Sequence, residues 1–592
     1  MIAMGMLDSL WQLLSARDQT KVVQFWFALA SVALLLGLFT WRSLGPRLRE
    51  LSPKLPPNCL VWGRRALRGA LVIAALCSSL QYFYGQRNDG QWLHRWDVYH
   101  QVFGAKYFAE LGYFRTYECT YELDRDHAKH FAKVEQMRDI RSLRVAKVAE
   151  VIGEPDCAEL FTPERREQFV ADIEAMWALE GHGMWKSLFG DKGFNGTPFH
   201  AWVLTQLLRG NALDYWSLVA LALIDVVLLV AAFGLVARVW DVETAAIAGL
   251  FFAANFPNHF GYMGGSLLRF DYIAMLIFAL AAMKRERWAL AGVCVAWATM
   301  VRAFPGVFAL GLALKAGADL IATRKLPREY LRFFVAYAAA MLIMFGLSLT
   351  LAHGFDHWLE WIANIRAHTE HTRGFRVGFK HMFMLDGSLA DDANFVGWVG
   401  KTAHYRPRAP WFWLAVVLLL APLLIAARRL DAVSFAALFA CGGFLLLMSA
   451  TRYYYAMMVL PILIDRPLLR DRKHLLMCAL LFATAAILHA LAEVNPHVPF
   501  LYNTACSALF TAWFVIVGAL LWLDPELRED AERGTVMRRH RTPSPPRCKD
   551  SAPPAPPISR RPATAGAGLV TGALVEPVGG GDAEAQAGVD ER

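Results

Sequence analysis

The sequence predicts an all-α, polytopic membrane protein, and three observations carry that reading. Of 592 residues, 56% are hydrophobic and 19% are charged, against about 25% charged in a soluble domain. The apolar residues come in long blocks, such as Leu218 to Ala237, interrupted by Asp225, and Trp411 to Ala427. Blocks of about 20 residues match a bilayer core of roughly 30 Å. Basic residues recur in the short connections between blocks, as they do at the cytoplasmic ends of membrane helices. A soluble enzyme, a fibre and a disordered chain are all excluded.

Thirteen hydrophobic segments follow in order, near 22–40, 67–84, 215–237, 244–260, 268–283, 288–301, 304–320, 330–352, 410–427, 432–449, 453–465, 474–491 and 500–523. The expectation is a bundle of about 11–13 transmembrane helices. Residues 1–66 supply a leading span and a basic loop, 67–523 the core, and 524–592 a tail. The first run, Val22 to Phe39, is a full span followed by basic residues, unlike a cleaved leader. The tail holds ten of the 27 prolines and is expected to be disordered and cytoplasmic.

Orientation follows from Lys and Arg in the short loops. The 41–66 connection, Lys284 to Arg287, Arg324 to Arg328, Arg428-Arg429 and Arg466 to Lys473 all fall on one side, expected to be cytoplasmic. Two long loops, 85–200 and 353–409, then face outward. The first carries 15 basic and 19 acidic residues. Asp126 to Ile152 has roughly helical apolar spacing. Thr162-Pro163-Glu164 opens another helix, with a Thr cap and Pro in the first turn, that should stop at Gly181. Such helices either lie on the membrane surface or form a small folded cap.

The net charge of +9 suits membrane-proximal loops and implies no nucleic-acid partner. Nine cysteines include no C-x-x-C pair, and the histidines lack metal-ligand spacing, so no metal is expected. Cys119 and Cys157 share the first loop, either as a disulfide or as two free thiols.

Charged residues in or beside a span are costly and therefore point to function. Asp97, Arg269, Asp271, Arg302 and Arg452 all reach the outward side. Their alternatives are structural: Arg269 and Asp271 pairing with each other or with Arg302, Arg452 snorkelling beside its tyrosines, Asp97 as a solvated acid. Asp225 should face the bundle interior. The second loop carries Arg366, His368, His371, Arg373, Arg376, Lys380 and His381 within sixteen residues, interleaved with Trp358, Trp361, Phe375 and Phe379. Such cations suit a phosphate headgroup, or attract anionic lipid without specificity. Asp97 is the expected general base. It lies close to the second span, and Trp96 and Tyr99 would desolvate it, with Arg95 opposing. Asp89, Asp124 and Asp126 read as solvated, and Asp271 is the next choice.

The stretch Arg95 to Glu118, Asn195-Gly196-Thr197-Pro198-Phe199, Arg302-Ala303-Phe304-Pro305 and Thr451 to Pro461 carry a resemblance. The chain resembles the C-type (GT-C) integral-membrane glycosyltransferases that use polyprenyl-phosphate sugars, in particular the bacterial mannosyl- and arabinofuranosyl-transferase-like group. The layout is shared over about 67–520, the sequence only in these patches. The chain departs in its extra leading span, its long first loop and a Thr-Pro where the group has Tyr-Pro-Pro. The resemblance implies a GT-C-like bundle in a bacterial inner membrane with its site outward. It also implies transfer of a sugar from a lipid-phosphate donor to a glycan, lipid or protein acceptor. Asp97 would be the base, and Arg269, Asp271, Arg302, Arg376, Lys380, His381 and Arg452 would bind substrate, without metal or other cofactor. A transporter or flippase of lipid-linked sugars, or a non-catalytic envelope assembly protein, would share the basic mouth but need no base.

Overall fold

The computed structural model describes residues 20–51, 57–85, 92–153, 156–180, 188–210, 213–370, 376–385, 398–465, 472–494 and 499–522. The tail, Asp89, Gly181, His371, Arg373, Phe375 and the basic run 466–471 lie outside these residues.

The chain opens with α1 (Thr20–Leu51) and α2 (Pro57–Leu80). A cap follows, built on α3 (Thr116–Arg125), the strands β1 (Gln136–Arg138) and β2 (Val145–Lys147), and α4 (Pro163–Glu180). The helix α5 (Pro198–Leu208) returns the chain to the bundle. There it forms α6 (Tyr215–Val239), α7 (Val242–Ala254), α8 (Asp271–Lys284), α9 (Trp288–Arg302), α10 (Gly306–Thr323) and α11 (Arg328–Ser348). The second long loop holds α12 (Asp356–Glu370) and β3 (Arg376–Val377). The remainder is α13 (Trp398–Ala426), α14 (Ala432–Leu447), β4 (Ala450–Thr451), a 3₁₀ helix Arg452–Leu463, α15 (Arg472–Val494) and α16 (Pro499–Trp522).

Eight of the described helices, α1, α2, α6, α10, α11, α13, α15 and α16, are long and apolar enough to cross a membrane. Their outward faces are apolar: Leu223, Val227 and Val230 on α6, Leu331, Val335 and Leu342 on α11, Leu414, Val417 and Leu418 on α13 are exposed. In water such a belt would drive aggregation; in a bilayer it is the lipid-facing surface. Helix starts are set by side-chain caps. Asp214 accepts the N–H groups of Trp216 and Ser217, Asp241 that of Thr244, and Asp431 that of Ser434. Thr197 caps α5 by accepting from His200 N, and Pro198 occupies the first turn.

Packing fixes the order of helices. The helix α1 lies against α2 and α15, α9 between α8 and α11, and α10 against α14. The α9–α11 contact is close because Gly292 has no side chain: a Cβ there would fall 2.3 Å from Phe333 O. Both long loops lie at one end of the bundle, where Asn364 in α12 donates to Phe194 O. Basic connections meet at the other end, where Lys284 pairs with Asp465, Arg68 with Glu243, and Arg285 donates to Arg238 O. These are called the cap end and the basic end below.

Four helices stop short. The helices α7, α8, α9 and α14 have 13 to 16 residues, about 20–24 Å at 1.5 Å per residue. Each falls short at the cap end. The missing depth is filled by irregular backbone: residues 255–270, 303–305 and 448–451, with the 3₁₀ helix beside them. Non-helical backbone at membrane depth persists only where protein buries it or it lines a cavity. The cap covers this region.

Two expectations change. The 126–152 stretch is not a helix. It forms the β1–β2 hairpin, with Gln136 opposite Lys147, and a single turn at Val148–Val151. Phe131, Met137, Ile140 and Leu143 are buried there by loop packing, and Lys129 and Leu143 adopt positive φ, which no helix continues through. The 453–465 segment is the tighter 3₁₀ helix with Pro461 inside, not an α-helical span.

The first loop is a folded cap. A disulfide joins Cys119 to Cys157. Buried Lys106 lies 2.6 Å from Asp172 of α4, and Tyr107 Oη donates to the same carboxylate at 2.5 Å.

Candidate functional site

The site is built from the middle of α6. Asp225, 3% exposed, accepts the backbone N–H groups of Arg269 (2.7 Å) and Phe270 (3.2 Å). These are unpaired donors at the start of α8. One acid in an apolar span therefore sets where α8 begins, and with it the position of Arg269.

Arg269 is 3% exposed, and its Nε lies 2.6 Å from Asp97 Oδ2. Its Nη2 donates to Tyr453 Oη at 3.1 Å. Asp97 keeps 13% of its side chain accessible. Its backbone N–H is accepted by His94 Nδ1 (3.1 Å), and His94 N donates to Gly265 O (2.9 Å). That approach requires glycine: Gly265 has φ +77, and a Cβ there would fall 2.0 Å from Trp92 O. After Asp97 the chain makes a wide π-helical stretch, Val98–Phe103, a feature common at functional sites.

Beside this pair, Asp271 Oδ2 accepts from Trp297 Nε1 (2.9 Å), while its buried Oδ1 has no hydrogen-bond partner. Arg302 Nη1 lies 3.0 Å from His200 Nδ1, and its Nη2 donates to Leu268 O at 3.1 Å. Arginine only donates, so His200 accepts through Nδ1. Leu268 (φ 51) and Ala303 (φ 57) flank the two arginines in backbone conformations unfavourable for side-chain-bearing residues. Such strain clusters at functional sites.

A second group of cations adjoins through β3 and β4, where Arg376 faces Thr451. Arg376 donates to Ser449 O (3.2 Å) and lies 3.4 Å from His368 Nδ1. His381 Nε2 lies 3.2 Å from Ser449 Oγ. Lys380 sits 4.4 Å from the Tyr405 ring centre, and Arg452 3.7 Å from that of Tyr262. Burial, with Arg376 and Lys380 adding repulsion, pushes His381 down to about 3. Burial and Arg376 also lower Lys380. The two groups join through consecutive residues, Arg452 and Tyr453. Tyr454 closes the seam, with its ring 4.6 Å from Phe304 and 5.5 Å from Tyr272.

Asp97, Arg269, Asp271 and Arg302 thus form one group, and Arg376, Lys380, His381 and Arg452 an adjoining one. Several details differ from expectation. Arg269 pairs with Asp97 and not with Asp271, because Asp225 turns it toward the cap. The cation facing Asp97 is Arg269 and not Arg95. Trp96 Nε1 and Tyr99 Oη are engaged inside the cap, on Asp191 (2.9 Å) and Thr120 (2.9 Å). Arg452 stacks on Tyr262 instead of snorkelling. Asp124 is buried, 2% exposed, and accepts from Phe131 N, so it is not a solvated acid; Asp126 is solvated, with 68% of its side chain exposed. His200, Trp297 and the hydroxyl of Tyr453 were not anticipated. The Thr197-Pro198 cap signal does place His200 in the first turn of α5.

Compared with known proteins, this chain matches no family model, no curated protein and no solved structure. The fold and site define a multi-pass, all-α membrane protein with a buried charge cluster beneath a disulfide-linked cap.

Proposed function

We propose that this protein is a GT-C-like glycosyltransferase. It moves a sugar from a polyprenyl-phosphate donor to an envelope glycan, lipid or protein at the cap end, which faces away from the cytoplasm. The observation that supports this reading most is the partly accessible Asp97 carboxylate, held by Arg269 beside two groups of cations. Asp97 takes the proton of the acceptor hydroxyl as that oxygen bonds to the anomeric carbon. The bond from that carbon to the phosphate oxygen breaks, and the lipid phosphate leaves with the electron pair. Arg302, Arg452, Arg376 and Lys380 stabilise the charge that develops there. His381, held neutral, lines the same wall. Arg269 is a positioning residue, and Asp271 stands by with an unpartnered oxygen.

The test uses the purified full chain with lipid-phosphate sugars carrying a labelled sugar. Asp97→Asn should reduce transfer by roughly 10²–10⁴-fold, the usual worth of a positioned base. Transfer within a few-fold of wild type would move the base elsewhere, first to Asp271. Arg302→Gln and Arg452→Gln should raise the donor concentration needed for half-maximal transfer. Movement of intact donor across proteoliposomes without transfer would favour a flippase.

A further inference from the structure

A second site lies at the basic end, among α14, α15 and α16. A cavity of about 40 Å³ opens there between these helices and the end of the 3₁₀ helix. Most of its lining is apolar, with Leu438, Met477 and Val517 among the buried residues there. Its polar lining comes from Ser434 in the first turn of α14 and from Lys473 and His474 in the first turn of α15, with Ser434 and His474 buried. Lys473 and Leu521 are only half-buried, so the slot is not sealed. Arg428, Arg429 and Arg472 flank the same end of the bundle and are exposed or half-buried.

This polarity gradient runs from cations at the membrane boundary to hydrocarbon-like walls inside. The space holds roughly three water-sized groups. That is too narrow for a headgroup and suits a stretch of methylenes. Basic pockets between helices at the cytoplasmic side select anionic lipid headgroups. We propose that an anionic phospholipid of the leaflet at the basic end seats part of an acyl chain in this cavity and its phosphate on Lys473. This site is on the opposite end from the charge cluster and stands whether or not the protein transfers sugars.

The full chain in detergent tests this in two ways. Thermal unfolding is followed by tryptophan fluorescence with added phosphatidylglycerol or phosphatidylcholine. Phosphatidylglycerol should raise the midpoint by a few degrees and phosphatidylcholine should not. Lys473→Gln should weaken the response about fivefold in lipid concentration, the worth of one lysine at a membrane surface, and Leu438→Trp should abolish it by filling the slot. Equal stabilisation by both lipids would overturn the proposal. The second measurement needs no variant: phosphatidylglycerol with a photoreactive acyl chain should label peptides containing Leu438, Met477 or Val517. Labelling confined to the outer lipid-facing helices α6, α11 and α13 would also overturn it.

Discussion

Replacing Asp97 by Asn removes a basic oxygen and also strands a buried guanidinium. Breaking one side of a buried ion pair costs about 3–5 kcal/mol, so the single variant should lose stability as well as turnover. The double variant Asp97→Asn/Arg269→Gln removes both charges. It should recover most of the lost thermal midpoint while transfer stays low. Recovery of transfer along with stability would mean that the pair is only a structural tie. His381 gives a prediction in pH. It is held near 3 in the fold and ionises at about 6.5 when unfolded. Below that value the unfolded chain binds the extra proton, so stability is full above pH 6.5 and falls as the pH drops. From pH 7 to 5 this group alone takes away about 2 kcal/mol. His381→Gln should flatten that part of the unfolding curve. At this scale the sequence was informative about cost and silent about partners. A lone acid in an apolar run announces that Asp225 turns inward. The N–H groups it serves lie 44 and 45 residues along, and nothing in the spacing of the sequence reveals them.

The start of α8 is the element on which the site turns. Asp225→Leu would leave the Arg269 and Phe270 N–H groups without acceptors, at about 1–3 kcal/mol each, and would release Arg269 from Asp97. Asp225→Asn keeps one acceptor oxygen and should cost less; unfolding midpoints of the two variants check the order. At the end of α9, Ala303 has φ 57 and ψ −53, a region comfortable only for glycine. Ala303→Gly should therefore raise stability by about 1 kcal/mol. Elements were legible where length and apolar runs coincide, as in α6 or α15. They were not legible in 126–152, where the apolar residues face the cap interior from loops and a hairpin, so their spacing mimics a helix. The 453–465 segment had the composition of a span, and composition does not distinguish a 3₁₀ from an α winding.

In the molecule as a whole, Lys284, Arg285 and Arg68 lie at one end of the bundle and both long loops at the other. Reagent added from outside intact cells should reach cysteines placed in 85–200 and 353–409 and miss the tail. In denaturant, a thiol reagent should modify two more cysteines after reduction than before, from Cys119 and Cys157.

The packing of α1 has a further consequence, for synthesis. Its neighbour α15 leaves the ribosome about 450 residues later, which at 5–20 residues per second is roughly 20–90 s. Throughout that interval the face of α1 that packs on α15 has no partner there, while Gln24 can already pair with Gln81 beside α2. The helix α1 is thus among the last of the described helices to be fully packed. A nascent chain released before Val494 should therefore leave that face of α1 open to lipid.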